Sequence, residues 1–321
     1  MKIALLGTGF AQVHAAVYAQ RNVEVVAFSR SADKLAEMKQ RYGFEGTTDL
    51  DRLFTDPAID LIDICLPGHL HAELILRGLA ANKHVLSEVP LALTVDDAER
   101  VVAATAISDR EVFVDMNLRF HPAYRRLREL LVTEELGALL AFESEVRSVI
   151  WPGYRGGLDE IMPHMLHGEL DAIAHALGVP KAFTATGCDA IEGGAAAQVV
   201  FDYPGMVTRL SGNSMMPAAY GIAACMRATF AGGVLEYTVA LEDATAVPQL
   251  AIHEYRGSER RVLAADDPDS YTAMIDHVLA CLRGEAANEI APLSVIESLG
   301  LTLDIQRALD ERAARPDRQL I

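Results

Sequence analysis

The chain has 321 residues, 51% of them hydrophobic and 23% charged, so it can bury sizeable cores and is not expected to be disordered. Its net charge of −17 at pH 7 argues against a nucleic acid or an anionic membrane surface as the main partner. No apolar run reaches the roughly 18 residues that a membrane-spanning helix needs. The cysteines are scattered and form no CxxC pair, which is typical of a reduced, cytoplasmic protein without a structural metal site.

The first thirty residues predict a βαβ unit. Residues 2–6 form a short apolar strand, a glycine-rich turn follows directly, residues 10–20 form a helix, and residues 23–28 form a second strand. This order lays a dinucleotide pyrophosphate on the N-terminus of the helix. The residues predicted to bind the cofactor here are Gly7, Thr8, Gly9, Phe10, Ala11 and Gln12. Gln12 stands where a GxGxxG fingerprint has its third glycine, so the prediction depends on the strand–turn–helix context.

Strands and helices continue to alternate as far as residue 118. Helices are predicted over residues 32–42, 50–56, 72–81 and 95–107, and strands over residues 61–66, 84–86 and 112–115. Such alternation predicts a doubly wound parallel sheet with helices on both faces. Residues 1–118 are therefore assigned to a Rossmann dinucleotide-binding domain.

The pattern changes near residue 118, and no flexible tether marks the boundary. Helices are predicted over residues 122–133, 162–177, 271–283 and 293–314, and strands over residues 138–147, 198–203, 206–214, 228–230 and 235–240. The strands after residue 182 are separated by Gly, Pro and Asn turns. Residues 119–321 are therefore assigned to a second domain.

Four segments resemble the Gfo/Idh/MocA (glucose-fructose oxidoreductase/inositol dehydrogenase) family in order and spacing. They are residues 7–14 (GTGFAQVH), 66–73 (LPGHLHAE), 82–93 (NKHVLSEVPLAL) and 117–124 (NLRFHPAY). The resemblance implies an α/β protein, in which the Rossmann domain is followed by a substrate-binding and oligomerisation domain with an open, mostly antiparallel sheet. It also implies NAD(P)-linked hydride transfer on sugars, cyclitols or related cyclic alcohols, by a homodimer or homotetramer.

Ser29 and Arg30 follow the second strand, where NAD-preferring members of such folds place an acidic residue. A carboxylate there accepts hydrogen bonds from the ribose 2′-hydroxyl and repels a 2′-phosphate, whereas a guanidinium suits phosphate. We therefore predict that the cofactor is NADP, with NAD as the alternative. Arg30 can also be interpreted as a solvated residue at the start of a helix.

The residues Glu88, Val89 and Pro90 depart from the family pattern, which is Glu-Lys-Pro in most members. The family's lysine contacts cofactor and substrate and helps to move the proton, and Val89 has no ionisable atom to do so. Members that resemble 4-carboxy-2-hydroxymuconate-6-semialdehyde dehydrogenases also lack this lysine, so its absence is compatible with an enzyme. The resemblance places further residues near the cofactor, namely Leu66, Pro67, His71, Glu88, Val89 and Pro90. A capping or packing role is the alternative for His71.

His164, His167 and Asp171 share one face of a predicted helix. The family has Asp, then His four residues later, then Asp three residues after that. Anchoring this pattern on Asp171 puts His164 at the first position and Gly168 at the usual histidine, so His167 falls one residue early. We predict His167 as the catalytic base, His164 as an alternative base or a substrate donor, and Asp171 as the group that orients an imidazole. The alternative is a pair of structural histidines.

Arg119 lies on the family's Asn-x-Arg-Phe segment and is predicted to bind a substrate carboxylate or hydroxyl, with a structural ion pair as the alternative. Trp151 and Tyr154 precede the histidine helix and would suit stacking on a sugar ring, or plain packing. The predicted activity is that of an NADP-dependent oxidoreductase whose small-molecule substrate is a cyclic alcohol or hemiacetal. A non-catalytic NAD(P)-binding sensor is the alternative that Val89 motivates.

Overall fold

The computed structural model describes residues 1–150, 157–190, 193–241, 249–263 and 269–313. The chain divides into two compact units. Unit one comprises residues 1–117 and 269–299, and unit two comprises residues 118–268 and 300–321. The segment 269–299, assigned above to the second domain, therefore belongs to the first unit. This return was invisible in the sequence, because its helical pattern does not differ from that of the helices around it.

The helices of both units lie close to their predicted bounds. In chain order they are α1 (Ala11–Gln20), α2 (Ala32–Tyr42), α3 (Leu50–Thr55), α4 (His71–Ala80), α5 (Val95–Ala106), α6 (Pro122–Thr133), α7 (His167–Leu177), α8 (Ser270–Leu282) and α9 (Pro292–Ala313). Short polar side chains cap several N-termini by accepting a backbone N–H bond, as Ser31 does for α2 and Asp49 for α3. Gly43 ends α2 in the left-handed conformation, at a φ of 76°. Local sequence signals thus set these helix ends.

The strands are β1 (Lys2–Leu6), β2 (Glu24–Phe28), β3 (Glu45–Thr47), β4 (Leu61–Ile64), β5 (His84–Ser87), β6 (Val112–Val114), β7 (Leu139–Ser148), β8 (Phe183–Asp189), β9 (Ala195–Tyr203), β10 (Met206–Asn213), β11 (Ile222–Phe230), β12 (Gly233–Leu241), β13 (Gln249–Arg256) and β14 (Glu259–Leu263). The strand predicted over residues 228–230 is the end of the longer β11. Its first half, Ile-Ala-Ala-Cys, lacks the alternation of apolar and polar residues that marks a half-buried strand.

Unit one contains a parallel sheet, as predicted, and its strand order is β3-β2-β1-β4-β5-β6. All four residues of β4 are buried, as are the last four of β1. The strand order reverses between β1 and β4. In open α/β sheets, ligands bind outside the carboxyl ends of the strands at such a switch point.

Unit two contains a mixed sheet in the order β14-β13-β12-β11-β7-β10-β9-β8. β7 pairs in parallel with β10, and the other neighbouring pairs are antiparallel. The expectation of a mostly antiparallel sheet is confirmed. Within the described residues, no helix combines the length and the apolar character that crossing a membrane requires.

Candidate functional site

The turn between β1 and α1 brings the backbone close to the switch point of the parallel sheet. Gly7 has a φ of 120°, and a Cβ atom there would come within 2.4 Å of the carbonyl oxygen of Cys65. A Cβ atom on Gly9, in contrast, would meet nothing within 4 Å. The first turn of α1 carries no acidic residue, so its backbone N–H groups and positive dipole end favour an anion. Gly7 thus allows the tight turn, and Gly9 leaves open space beside it.

A cavity of about 300 Å³ lies beside this turn. Its lining consists of Gly7, Thr8, Gly9, Phe28, Ser29, Arg30, Ser31, Lys34, Cys65 and Leu66. The cavity therefore brings together the glycine turn, the predicted Ser29 and Arg30, and a second cation that the sequence prediction missed, Lys34. The sequence could have indicated Lys34, because this residue lies in the first turn of the predicted α2, three residues after the N-cap Ser31.

Gln12 and His71 hold the loops around this cavity together. The Gln12 amide donates to the Thr8 carbonyl at 3.2 Å and accepts from Arg41 of α2 at 2.6 Å. His71 is buried, and its two ring nitrogens each lie 2.7 Å from a carbonyl oxygen, those of Pro90 and Leu66. His71 therefore links two of the loops that are predicted to contact the cofactor. These contacts match the packing role that was the alternative for this residue.

A buried polar group centred on His14 lies at the same edge of the parallel sheet. The imidazole Nδ1 is 2.8 Å from Asp63 Oδ2, and the Nε2 is 3.0 Å from Asp115 Oδ2 and 3.3 Å from Glu88 Oε1. The Tyr18 hydroxyl donates to Asp63 Oδ2 at 2.8 Å. We call His14, Tyr18, Asp63, Glu88 and Asp115 the His14 cluster. Of these residues, only Glu88 was among the predicted site residues.

Charge pairing determines the ionisation of the His14 cluster. Burial alone would lower the pKa of His14, but the Asp63 and Asp115 carboxylates raise it well above its ordinary value. Burial, followed by the charge of Asp115, raises the pKa of Glu88 to about 8, against the opposing effect of the His14 imidazolium. His14 is therefore a cation at neutral pH, and Glu88 is a carboxyl that holds its proton.

A metal ion is the other group that could be considered for the His14 cluster. Ligand atoms of His14, Cys65 and Glu88 lie within 4.8 Å of one another. Both ring nitrogens of His14, however, already lie at hydrogen-bond distance from a carboxylate oxygen. This arrangement fits an imidazolium that donates two hydrogen bonds, and we assign no metal here.

In unit two, Arg119 and Asp171 form a buried ion pair. The Arg119 Nε and Nη2 atoms donate to the two Asp171 carboxylate oxygens at 2.7 and 2.8 Å. The side chains are 3% and 2% exposed. The geometry corresponds to the structural ion pair that was the alternative for Arg119. Asp171, predicted to orient an imidazole, has both oxygens bonded to the guanidinium.

The two candidate bases, His164 and His167, lie in different surroundings. His167 is buried, its Nδ1 shares a 2.8 Å hydrogen bond with the Thr302 hydroxyl, and its Nε2 is a buried atom without a hydrogen-bond partner among the described residues. Burial lowers the pKa of His167 to about 4, so its imidazole is neutral at pH 7. His164 is exposed. The environment of His167 favours the structural alternative for that residue.

A π-helical turn separates the two candidate histidines. Residues Met162–Leu166 form this turn directly before α7, where one continuous α-helix was predicted. A π-turn accommodates one extra residue in a helix, which shifts the side chains ahead of it relative to those behind it. The turn therefore affects the position of His164, whereas His167 and Asp171 both lie in α7 and keep ordinary helical spacing. The remaining predicted substrate residues, Trp151 and Tyr154, lie outside the described residues.

We expect the stability of unit two to fall on mild acidification, because unfolding releases His167 to take up a proton. With a pKa of about 4 in the folded chain and an ordinary value of 6.5, its contribution is present above pH 6.5 and is lost as the pH falls to 4. Denaturant titrations at pH 7 and pH 5 should show a smaller acid-induced loss for His167→Gln, by roughly 1.4 kcal/mol per pH unit at most. The exposed His69 provides the control variant, His69→Gln. An unchanged pH slope in His167→Gln would contradict the assignment.

The chain matches known proteins most clearly over the nucleotide turn and the sheet behind it. Residues 1–116 match the model of the oxidoreductase family with an NAD-binding Rossmann fold, named for Gfo, Idh and MocA. Over these residues, the chain is similar to the Gfo/Idh/MocA family.

Three similar proteins illustrate the range of this family. A levoglucosan dehydrogenase from Pseudarthrobacter phenanthrenivorans is 30% identical over 44% of this chain and 40% of its own length. A 4-carboxy-2-hydroxymuconate-6-semialdehyde dehydrogenase from Sphingobium is 33% identical over 42% of this chain and 44% of its own. The chain thus matches less than half the length of these curated relatives. The crystal structure of a 3-ketoreductase from Actinomadura kijaniata in complex with NADP and TDP-benzene has a TM-score of 0.80, at 18% identity, over 96% of this chain and 98% of its own.

The structural likeness covers both units, whereas the family model matches residues 1–116. At 18% identity, the ketoreductase comparison shows that the fold is shared along nearly the whole chain. This comparison does not identify which residues of this chain act on a substrate. Those residues must be argued from the contacts of this chain.

Proposed function

We propose that this protein is an NADP-dependent oxidoreductase that transfers a hydride between the nicotinamide and a cyclic alcohol or hemiacetal. The observation that carries the proposal is the cavity in which the Gly7–Gly9 turn and the cations Arg30 and Lys34 meet. The names of the curated relatives, which are dehydrogenases of a levoglucosan and of a semialdehyde, support this substrate class. The bound nicotinamide would supply the hydride chemistry, and the protein would supply binding, orientation and the path of the proton.

The residues present fit the nucleotide. Open space at Gly9 and the N-terminus of α1 suit a pyrophosphate, and Thr8 and Ser29 add hydroxyl groups to the cavity. Arg30 and Lys34 add two positive charges where an NAD-preferring chain places a carboxylate. A guanidinium and an ammonium together suit the 2′-phosphate that distinguishes NADP from NAD. We therefore infer that NADP is preferred and that NAD is the poorer ligand.

The proposed function is tested by cofactor binding and turnover with the purified full chain. Titration with NADP⁺ and NAD⁺ measures the two dissociation constants. Formation of reduced nicotinamide is then followed with levoglucosan, myo-inositol, lactol forms of aldoses and cyclic hemiacetals of aromatic semialdehydes. Turnover with at least one of these compounds is expected. Tight NADP⁺ binding with no turnover on any of them would instead support a regulatory NADP-binding protein, the alternative that Val89 motivates.

The cofactor preference gives a sharper prediction. Arg30→Ala and Lys34→Ala should each weaken NADP⁺ binding by roughly tenfold or more, since a hydrogen bond to a charged group contributes about 1.5–3 kcal/mol. NAD⁺ binding should change little, because NAD lacks the 2′-phosphate. Lys39→Ala, further along α2 and outside the cavity lining, is the control. If the ratio of the two dissociation constants is the same in Arg30→Ala as in the wild type, the preference has another origin.

The proton step needs a group other than the lysine that Val89 replaces. A histidine was predicted, and of the two candidates His164 has the exposed imidazole, while His167 is buried against Thr302. A histidine base in this protein would therefore be His164. The His14 cluster offers a second group for the proton step.

A further inference from the structure

We infer that Glu88 is the group that accepts and returns the substrate proton in this protein, with His14 and Asp115 holding its carboxyl in position from behind. This inference rests on the proposed oxidoreductase function. It assigns to the residue directly before Val89 the task that the family's lysine performs one position later.

The first argument is access. The side chains of His14, Asp63 and Asp115 are at most 1% exposed, whereas the Glu88 side chain is 13% exposed. Glu88 is thus the ionisable member of the His14 cluster that a proton can reach from outside. Its backbone N–H donates to Ile64 at the end of β4, so the residue lies at the carboxyl edge of the sheet. The glycine turn that follows β1 lies at the same edge.

The second argument is the presence of buried oxygens without a donor. Among the described residues, Glu88 Oε1 and Asp115 Oδ1 are buried and have no hydrogen-bond partner. Glu88 Oε1 lies 3.3 Å from His14 Nε2, which already lies 3.0 Å from Asp115 Oδ2. Two carboxylates beside one imidazole N–H exceed the donors available, and burying an unpaired charge is costly. A proton held between Glu88 and Asp115 relieves both problems.

The third argument is how the charge is balanced. The groups that face Glu88 are the His14 imidazole from α1, the Cys65 thiol directly after β4, and the Asp115 carboxyl after β6, while the Asp63 carboxylate of β4 lies against the other ring nitrogen of His14. From α8, the Tyr271 ring lies 6.4 Å from the His14 ring. Burial and Asp115 raise the pKa of Glu88 to about 8, and His14 opposes them. Glu88 can therefore gain or lose a proton near neutral pH, as a general acid or base requires.

The step balances as follows in the direction of alcohol oxidation. The carbon-bound hydrogen leaves as hydride to the oxidised nicotinamide, and the C–O bond becomes a carbonyl. The hydroxyl proton passes to the ionised Glu88 carboxylate, which becomes neutral. The proton then returns to solvent from the exposed side of Glu88. Reduction runs through the same groups in reverse.

The experiment compares Glu88→Gln with the wild type and with Glu99→Gln, a change at an exposed glutamate of α5. We expect Glu99→Gln to match the wild type in NADP⁺ affinity and in kcat, and Glu88→Gln to lose far more in kcat than in NADP⁺ affinity. For Glu88→Gln, kcat should fall by about 10²–10⁴, the range of a general acid–base group. The wild-type kcat for oxidation should rise with pH through about 8, and this rise should be missing from the variant.

A second measurement needs no substrate. Infrared difference spectra of the full chain should show a protonated carboxyl band that disappears as the pH rises through about 8, and this band should be missing from Glu88→Gln. If that variant does not fold, Glu88→Asp serves instead, with a slower kcat and a displaced pH profile expected.

Failure of the inference differs from failure of the proposed function. A wild-type chain that neither binds NADP⁺ nor turns over any panel compound contradicts the function, even where the carboxyl band titrates. Normal kcat and an unchanged pH profile in Glu88→Gln would overturn the inference while the function stands. Loss of the pH-dependent rise in His164→Gln, with Glu88→Gln active, would assign the proton to the histidine and overturn the role of Glu88.

Discussion

Replacement of Asp171 by alanine should destabilise unit two by about 3–5 kcal/mol, because it removes the carboxylate that pairs with the buried Arg119 guanidinium. The two side chains are 3% and 2% exposed, and both hydrogen bonds of the bidentate pair are shorter than 3 Å. Water cannot replace the lost carboxylate at such a depth. A large loss is therefore expected even though an intact buried ion pair contributes little net stability relative to apolar residues.

Chemical denaturation of Asp171→Ala and the wild type measures this loss. Asp304→Ala is the matched control, since the Arg307–Asp304 pair has the same charges but side chains that are 65% and 57% exposed. The control should cost no more than about 1 kcal/mol. The double variant Arg119→Met, Asp171→Leu should recover much of the stability, because it removes both buried charges. A loss below 1 kcal/mol in Asp171→Ala would show that the pair is solvated in solution.

Replacement of Gly7 by alanine should abolish measurable NADP⁺ binding and also lower stability. Two independent constraints act on this residue. Its φ of 120° is one that residues with a side chain rarely adopt, and a Cβ atom would lie 2.4 Å from the Cys65 carbonyl oxygen. Because the obstructing atom is backbone at the end of a buried strand, the turn itself must move. We expect about 1–3 kcal/mol of destabilisation from the backbone conformation alone.

Gly9→Ala separates the two roles of the turn. No atom lies within 4 Å of a Cβ built on Gly9, so stability should be close to that of the wild type. NADP⁺ affinity should nevertheless fall, because the added methyl group fills space beside the N-terminus of α1. Fluorescence titration with NADP⁺ and thermal denaturation of both variants provide the measurements. Wild-type affinity in Gly7→Ala would show that the nucleotide binds elsewhere.

The fold could be predicted largely from local patterns. The bounds of α2 and α6 follow from capping residues and apolar spacing, and β1 from a single apolar run. These signals lie within a few residues of the elements that they set. The π-helical turn before α7 was not predictable in this way, because a π-turn depends on the packing around it and has no local composition signal of its own.

The candidate site was predictable only in part, for a related reason. The glycine turn is a contiguous segment, so the sequence could predict Gly7, Gly9 and Arg30, which line one cavity. The His14 cluster joins residues that are 49 and 101 positions apart, a distance over which no spacing rule operates. A signal did exist, since Asp63 is a charged residue inside an otherwise apolar strand. A buried charge of this kind requires a partner, but the sequence does not identify it.

The return of residues 269–299 to unit one bears on how the protein is made. Val114 at the outer edge of the parallel sheet donates its N–H to the Ile290 carbonyl, and Arg21, directly after α1, pairs with Asp276 of α8. A ribosome that has released residues 1–117 has therefore produced every strand of that sheet, but not the segment that covers its edge. Unit one is completed only when residue 299 has been synthesised, after residues 118–268 of unit two.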